Sequence, residues 1–171
     1  HLGRPDGKFI ESLKVDVIAK ELENLLKVKV IKLDDCVGGD VEEKLKNMES
    51  DIYLLENTRF HAEEEENEEN FSKKLASYAD IFVNDAFGTV HRAHASTAGV
   101  AKFLPSYAGL LLEKEINVLS SFLENPKKPV CLITGGAKID TKIGLLNNFL
   151  HLADSFLIGG ALANTFLAAV G

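Results

Sequence analysis

Short apolar runs alternate along this chain with longer segments that carry apolar residues at helical spacing. The runs are residues 28–33, 51–55, 81–83, 130–133 and 155–158. Each has strand length and ends in a polar or glycine-rich loop. Between them, Val15, Ile18, Leu22 and Leu25 predict a helix over residues 11–26. Val41, Leu45 and Met48 predict another, and residues 71–78 a third. Farther on, Ile139, Ile143, Leu146 and Leu150 mark a helix, and Leu162, Phe166 and Ala169 a last one. Such alternation needs crossover connections. It therefore predicts an α/β fold, a Rossmann-like parallel sheet with helices on both faces. One stretch departs from the rhythm. Leu112, Ile116, Leu119 and Leu123 share a stripe, which predicts a continuous helix over residues 108–123. The prolines of Glu124-Asn125-Pro126-Lys127-Lys128-Pro129 then break the chain. A domain boundary is expected at this long helix, with a sheet on either side.

Composition narrows the class. At 171 residues, 46% hydrophobic and 26% charged, the chain has the profile of a soluble globular protein of one domain or a small pair. No signal-peptide pattern and no apolar run of membrane-spanning length is present, so a cytoplasmic location is expected. Cys36 and Cys131 form no metal or redox motif and read as free thiols. A net charge of −7 argues against nucleic acid as the main partner. Much of the acid sits in Glu63, Glu64, Glu65, Glu66, Glu68 and Glu69, which reads as a solvated face or helix start rather than a metal site.

The loops carry the chemistry. After the run at residues 81–83 comes Asn84-Asp85-Ala86-Phe87-Gly88-Thr89-Val90-His91-Arg92-Ala93-His94-Ala95-Ser96. It packs two imidazoles and a guanidinium into four residues at a strand's carboxyl end, where open α/β sheets bind ligands. Arg offers a planar fork to phosphate or carboxylate, and His adds donors whose charge changes near neutral pH. Taken alone, the loop also fits a solvated basic surface. Two more Arg-bearing segments accompany it: His1-Leu2-Gly3-Arg4-Pro5-Asp6-Gly7-Lys8, and Glu56-Asn57-Thr58-Arg59-Phe60-His61 after another strand. Arg4, Arg59 and Arg92 are expected to share one basic cleft. His91-x-x-His94 lacks the spacing and partners of a zinc motif, and no Gly-x-Ser-x-Gly elbow exists. Thr134-Gly135-Gly136-Ala137-Lys138 lies between a strand and a helix. Its glycines allow close backbone approach, and Lys138 and Lys142 would share a helix face if the helix starts early enough. It is not a Walker A loop, and taken alone a tight βα turn with surface lysines fits it better. His61 and His151 carry no expected role.

Five motifs together resemble the phosphoglycerate kinase family. They are His1-Leu2-Gly3-Arg4-Pro5, Leu54-Leu55-Glu56-Asn57-Thr58-Arg59-Phe60, the residue 84–96 motif, Gly135-Gly136-Ala137-Lys138-Ile139-Asp140-Thr141-Lys142-Ile143, and Ile158-Gly159-Gly160-Ala161-Leu162-Ala163-Asn164-Thr165-Phe166. They follow the family's order and cover the whole chain, which is only part of the family's length. Ala161 departs from the third glycine usual there.

The resemblance implies reversible phosphoryl transfer between 1,3-bisphosphoglycerate and magnesium ADP, giving 3-phosphoglycerate and ATP in glycolysis. It implies a monomer of two domains that a hinge closes. Residues 1–107 would be the phosphoglycerate-binding domain without its first strand, 108–125 the interdomain helix, and 126–171 the start of a truncated nucleotide-binding domain. His1, Leu2, Gly3, Arg4, Arg59, His91, Arg92 and His94 would bind the triose. Gly135, Gly136, Ala137, Lys138, Lys142, Gly159 and Gly160 would bind the nucleotide. Lys138, Arg92 and Lys142 would be catalytic. Magnesium would be held by the nucleotide phosphates and by residues outside this chain, so the chain alone is expected to be inactive. The rival expectation is a non-catalytic module for phosphate or carboxylate.

Overall fold

The computed structural model describes residues 1–140 and 142–171; Thr141, in the residue 135–143 motif, lies outside them. The chain divides into two compact units, His1–Glu113 and Lys114–Gly171.

The first unit alternates strand and helix. A 3-10 turn at Glu11–Leu13 leads into α1 (Asp16–Leu26), so residues 11–26 hold two pieces rather than one helix. Then follow β1 (Val30–Lys32), α2 (Gly39–Asn47), β2 (Ile52–Leu54), α3 (Ala62–Glu66), α4 (Glu69–Ala76), β3 (Phe82–Asn84) and β4 (Ser106–Ala108). β1 pairs with β2 and β3 with β4, both parallel, as the crossover pattern requires. No ladder joins β2 to β3 among the described residues. An apolar cavity of ≈ 400 Å³ is lined there by Tyr53 of β2 with Leu55 just after it and by Phe82 of β3 with Ile81 just before it. β4 lies outside every run that the apolar pattern marks. Its residues are exposed, and it is a strand because Phe82, Val83 and Asn84 take Ser106, Tyr107 and Ala108 as partners.

The main core of this unit forms where α4 meets the loop after β3. Phe71, Leu75 and Ala76 from α4 pack with Cys36, Ala95 and Val100. Fit is tight here. A Cβ on Gly99 would lie 2.1 Å from Ser72 Oγ, so only hydrogen is accommodated.

α5 (Leu110–Glu124) is the expected long helix, beginning two residues later than the apolar stripe implies. Ala108 is held in β4, and Gly109 donates its N–H to Asn84 O at 2.8 Å. The second unit then runs β5 (Cys131–Gly135), α6 (Ile143–Phe149), β6 (Ser155–Gly159) and α7 (Gly160–Val170). β5 and β6 are parallel and in register from Cys131↔Ser155 to Gly135↔Gly159, so both glycine turns emerge at one level. Asp154 fixes the entry to β6 by accepting the Val130 N–H at 2.6 Å and an ion pair from Lys128 at 3.2 Å. Among the described residues, no helix is long and apolar enough to cross a membrane.

Candidate active site

Two buried side chains draw the three loops of the first unit together. Asn57 is 1% exposed, and its amide uses both ends. Oδ1 accepts from Leu2 N and Arg59 N, each at 3.3 Å, while Nδ2 donates to Leu2 O at 2.8 Å and Leu13 O at 3.0 Å. The opening segment is thereby tied to the turn that carries Arg59, and the Gly7 N–H adds a bond to Arg59 O at 3.2 Å. Glu56 secures the same turn. Its carboxylate accepts Val15 N at 3.0 Å and Asn57 N at 2.8 Å and meets Lys32 Nζ at 2.6 Å.

Glu64 makes the second connection. One carboxylate oxygen accepts the Ser96 N–H at 2.9 Å, the other the Ser96 hydroxyl at 2.6 Å. The residue is 3% exposed, which corrects the reading of the whole glutamate run as a solvated face. The outcome is a cavity of ≈ 180 Å³ at the carboxyl end of β3. His1, Thr58, Asn84, Asp85 and His94 line it together with Glu64.

His1 and His94 thus meet at one cavity. Leu2 and Gly3 lie on its opening segment, where Gly3 takes a positive φ of 63° and a Cβ would strike Leu13. Arg4 and His91 are exposed, and Arg92 is half-buried, its Nε donating to His91 Nε2 at 3.3 Å. Arg59 is placed differently from a solvent-facing fork. It is 3% exposed, with Nη2 3.2 Å from Glu65 Oε1. That contact lies off the hydrogen-bond direction and leaves Nη2 without a directed acceptor, so it is charge attraction only.

The second unit brings its own candidates together at the two glycine turns. Gly136 has φ 142° and Gly160 φ 64°, conformations that side chains rarely adopt. The Gly136 carbonyl accepts the Leu162 N–H at 2.8 Å, which joins the first turn to the start of α7. Gly135 and Gly159 end the paired strands, and Ala137 and Lys138 are exposed just beyond. Lys142 is half-buried at the N-cap of α6, with Lys138 upstream of the helix, so the two do not share a helix face. The helix starts too late for that, at Ile143.

Sequence reasoning missed Asn57, Glu64 and Asp85 as organisers. Asn57 and Asp85 stand inside the residue 54–60 and 84–96 motifs, but Glu64 is hidden among like residues and only its burial marks it. Asp35, Cys36 and His61 also converge, their ligand atoms within 4.8 Å. Those atoms are already engaged: Asp35 Oδ1 bonds His61 Nε2 at 2.6 Å, and the Cys36 thiol donates to Glu56 O at 2.9 Å.

The arrangement defines a parallel α/β protein with basic loops at strand carboxyl ends in one unit and paired glycine turns in the other. The chain belongs to the phosphoglycerate kinase family, whose model matches residues 1–171. It is 55% identical over 172 residues to phosphoglycerate kinase of Dictyoglomus turgidum, covering 100% of this chain and 43% of that protein. The Pelotomaculum thermopropionicum enzyme is 51% identical, with 100% and 44% covered. Among solved structures, phosphoglycerate kinase from Coxiella burnetii aligns with a TM-score of 0.76 at 44% identity, over 100% of this chain and 43% of that one. The Pyrococcus horikoshii enzyme aligns with a TM-score of 0.80 at 36% identity, over 92% and 42%. The chain therefore spans less than half the length of the relatives it matches.

Proposed function

We propose that these residues belong to a working phosphoglycerate kinase, transferring a phosphoryl group reversibly between 1,3-bisphosphoglycerate and magnesium ADP. The observation that carries the reading is the cavity at the β3 end, where Asn57 and Glu64 hold three basic loops about His1 and His94. Residues 1–107 form the triose side, 108–125 the connecting helix, and 126–171 the beginning of the nucleotide side. Triose binding falls to His1, Leu2, Gly3, Arg4, Arg59, His91, Arg92 and His94. Nucleotide binding falls to Gly135, Gly136, Ala137, Lys138, Lys142, Gly159 and Gly160.

Little covalent chemistry is asked of the protein in such a transfer. Positioning and charge neutralisation supply the rate. Arg and His donors fix the triose carboxylate and phosphate by charge-assisted hydrogen bonds. The glycine turns suit a nucleotide phosphate, because positive φ at Gly136 and Gly160 leaves backbone where side chains would stand. The nucleotide phosphates and residues outside this chain would hold magnesium, which would supply charge neutralisation there. Lys138 and Arg92 stabilise charge on the phosphoryl group in flight, and Lys142 contacts the nucleotide phosphates. A monomer in the cytoplasm is the working form.

Coupled ATP formation by the full-length protein tests this. Arg59→Ala should weaken triose binding by about 1.5–3 kcal/mol, the scale of a hydrogen bond to a charged group, and spare the nucleotide. Lys142→Ala should do the reverse. No ATP formation by the wild type, or exchanged preferences of the two variants, overturns the assignment.

A further inference from the structure

Glu64 presents a contradiction at the proposed triose site. A carboxylate in the wall of an anion cavity repels the ligand unless its charge serves another group. Burial of an ionised carboxylate is also costly unless hydrogen bonds replace the lost water. Ser96 supplies two such bonds, at 2.9 Å from its N–H and 2.6 Å from its hydroxyl. Beyond Ser96, the His94 ring approaches, with Nδ1 3.9 Å from Glu64 Oε1. Both residues line the cavity that His1 shares, and Asp85 is its other acidic neighbour. The His94 ring therefore faces Glu64 with Nδ1, and Nε2 is its second hydrogen-bonding nitrogen.

We propose that Glu64 is a positioning residue for the triose anion. Through Ser96 it anchors the backbone of the 91–96 loop. Through Oε1, 3.9 Å from His94 Nδ1, it holds the imidazole at the cavity wall. The inference rests on the phosphoglycerate-binding reading above. It explains why the one buried member of an acidic run lies beside the basic loop. His94 has a further tether, since its N–H donates to Thr97 Oγ1 at 3.2 Å, and this bond does not depend on Glu64.

Glu64→Gln separates anchor from charge. The amide oxygen can still accept the Ser96 N–H, and its NH₂ can donate to the Ser96 hydroxyl, so shape and anchor survive while charge is lost. The test uses the full-length protein as wild type, E64Q, H94Q and the double variant. KM for 3-phosphoglycerate, KM for ATP, kcat and thermal midpoint are read for each. Calorimetric titration of the wild type with 3-phosphoglycerate comes first, and absence of binding there removes the underlying reading and this inference with it. Given binding, E64Q should raise the 3-phosphoglycerate KM about tenfold, with the ATP KM and thermal midpoint unchanged. H94Q should do likewise, and the double variant should be no worse than the more impaired single one. A wild-type KM in E64Q overturns the proposal. So do multiplying penalties in the double variant, which would mean that Glu64 acts without His94. A lowered midpoint with both KM values unchanged would leave Glu64 a purely structural role and overturn it equally.

Discussion

Asp85 shows how one side chain serves two parts of the fold. It follows β3 directly and lines the cavity. Its Oδ1 accepts the N–H groups of Leu111 at 2.7 Å and Leu112 at 3.0 Å, two of the amides that open a helix without partners. A Cβ on Gly109 would lie 2.4 Å from Asp85 Cγ, so this approach requires glycine there. Asp85→Ala should lower the free energy of unfolding by about 1–2 kcal/mol, the usual cost of a lost helix cap. Urea titration reads the loss, and an unchanged midpoint would show that water replaces the carboxylate at no cost. Asp85→Asn keeps an acceptor and should recover most of it. Nothing in the local sequence announces this role, because its partners lie 26 and 27 residues away. They come into reach only when β3 pairs with β4. Arg59 illustrates the same limit. Its type and its place after a strand were legible, whereas its burial beside Glu65 depends on how α3 turns back over it.

At the scale of elements, a cap sets an acid limit. Glu68 opens α4 by accepting Asn70 N at 2.9 Å and Phe71 N at 2.6 Å. The Asn70 amide, then that of Phe71, holds its carboxyl below the ordinary 4.5. A lowered folded-state value means that the stabilisation is complete above 4.5 and is lost as pH falls from there through the folded value. Glu68→Gln keeps an acceptor and removes the titration. Its thermal midpoint should therefore fall less steeply than the wild type's on acidification below pH 4.5, and parallel curves would count against the cap. Helices α1, α2, α4, α5 and α7 were legible because an apolar stripe needs only local spacing. Strands β1, β2, β3, β5 and β6 were legible as short apolar runs, with bounds that differ from the runs by one or two residues. β4 was not, since Ser106-Tyr107-Ala108 carries no apolar pattern and owes its form to a partner. The start of α6 at Ile143 likewise escaped the stripe that includes Ile139.

On the scale of the whole molecule, the chain spans 43% of its Dictyoglomus turgidum relative, and the residues proposed above for triose and for nucleotide fall in separate units. Expressed by itself, it should show no turnover above a Lys138→Ala control, while the full-length protein turns over. Activity of the isolated chain well above that control would contradict the expectation. The motif order made the family legible. The linking bonds of Asn57 and Glu64 were not, because each joins segments that only folding brings side by side. The two cysteines have a consequence for chemical labelling. Cys36 is fully buried in the first unit, its thiol pushed up by burial first and then by Asp35 and Glu56, while Cys131 is exposed in the second. An alkylating reagent should therefore modify Cys131 at once and Cys36 only when the first unit opens. Mass spectrometry of the slow adduct would time that opening without any introduced dye or mutation, and equal rates at both thiols would mean that the first unit breathes faster than the reagent reacts.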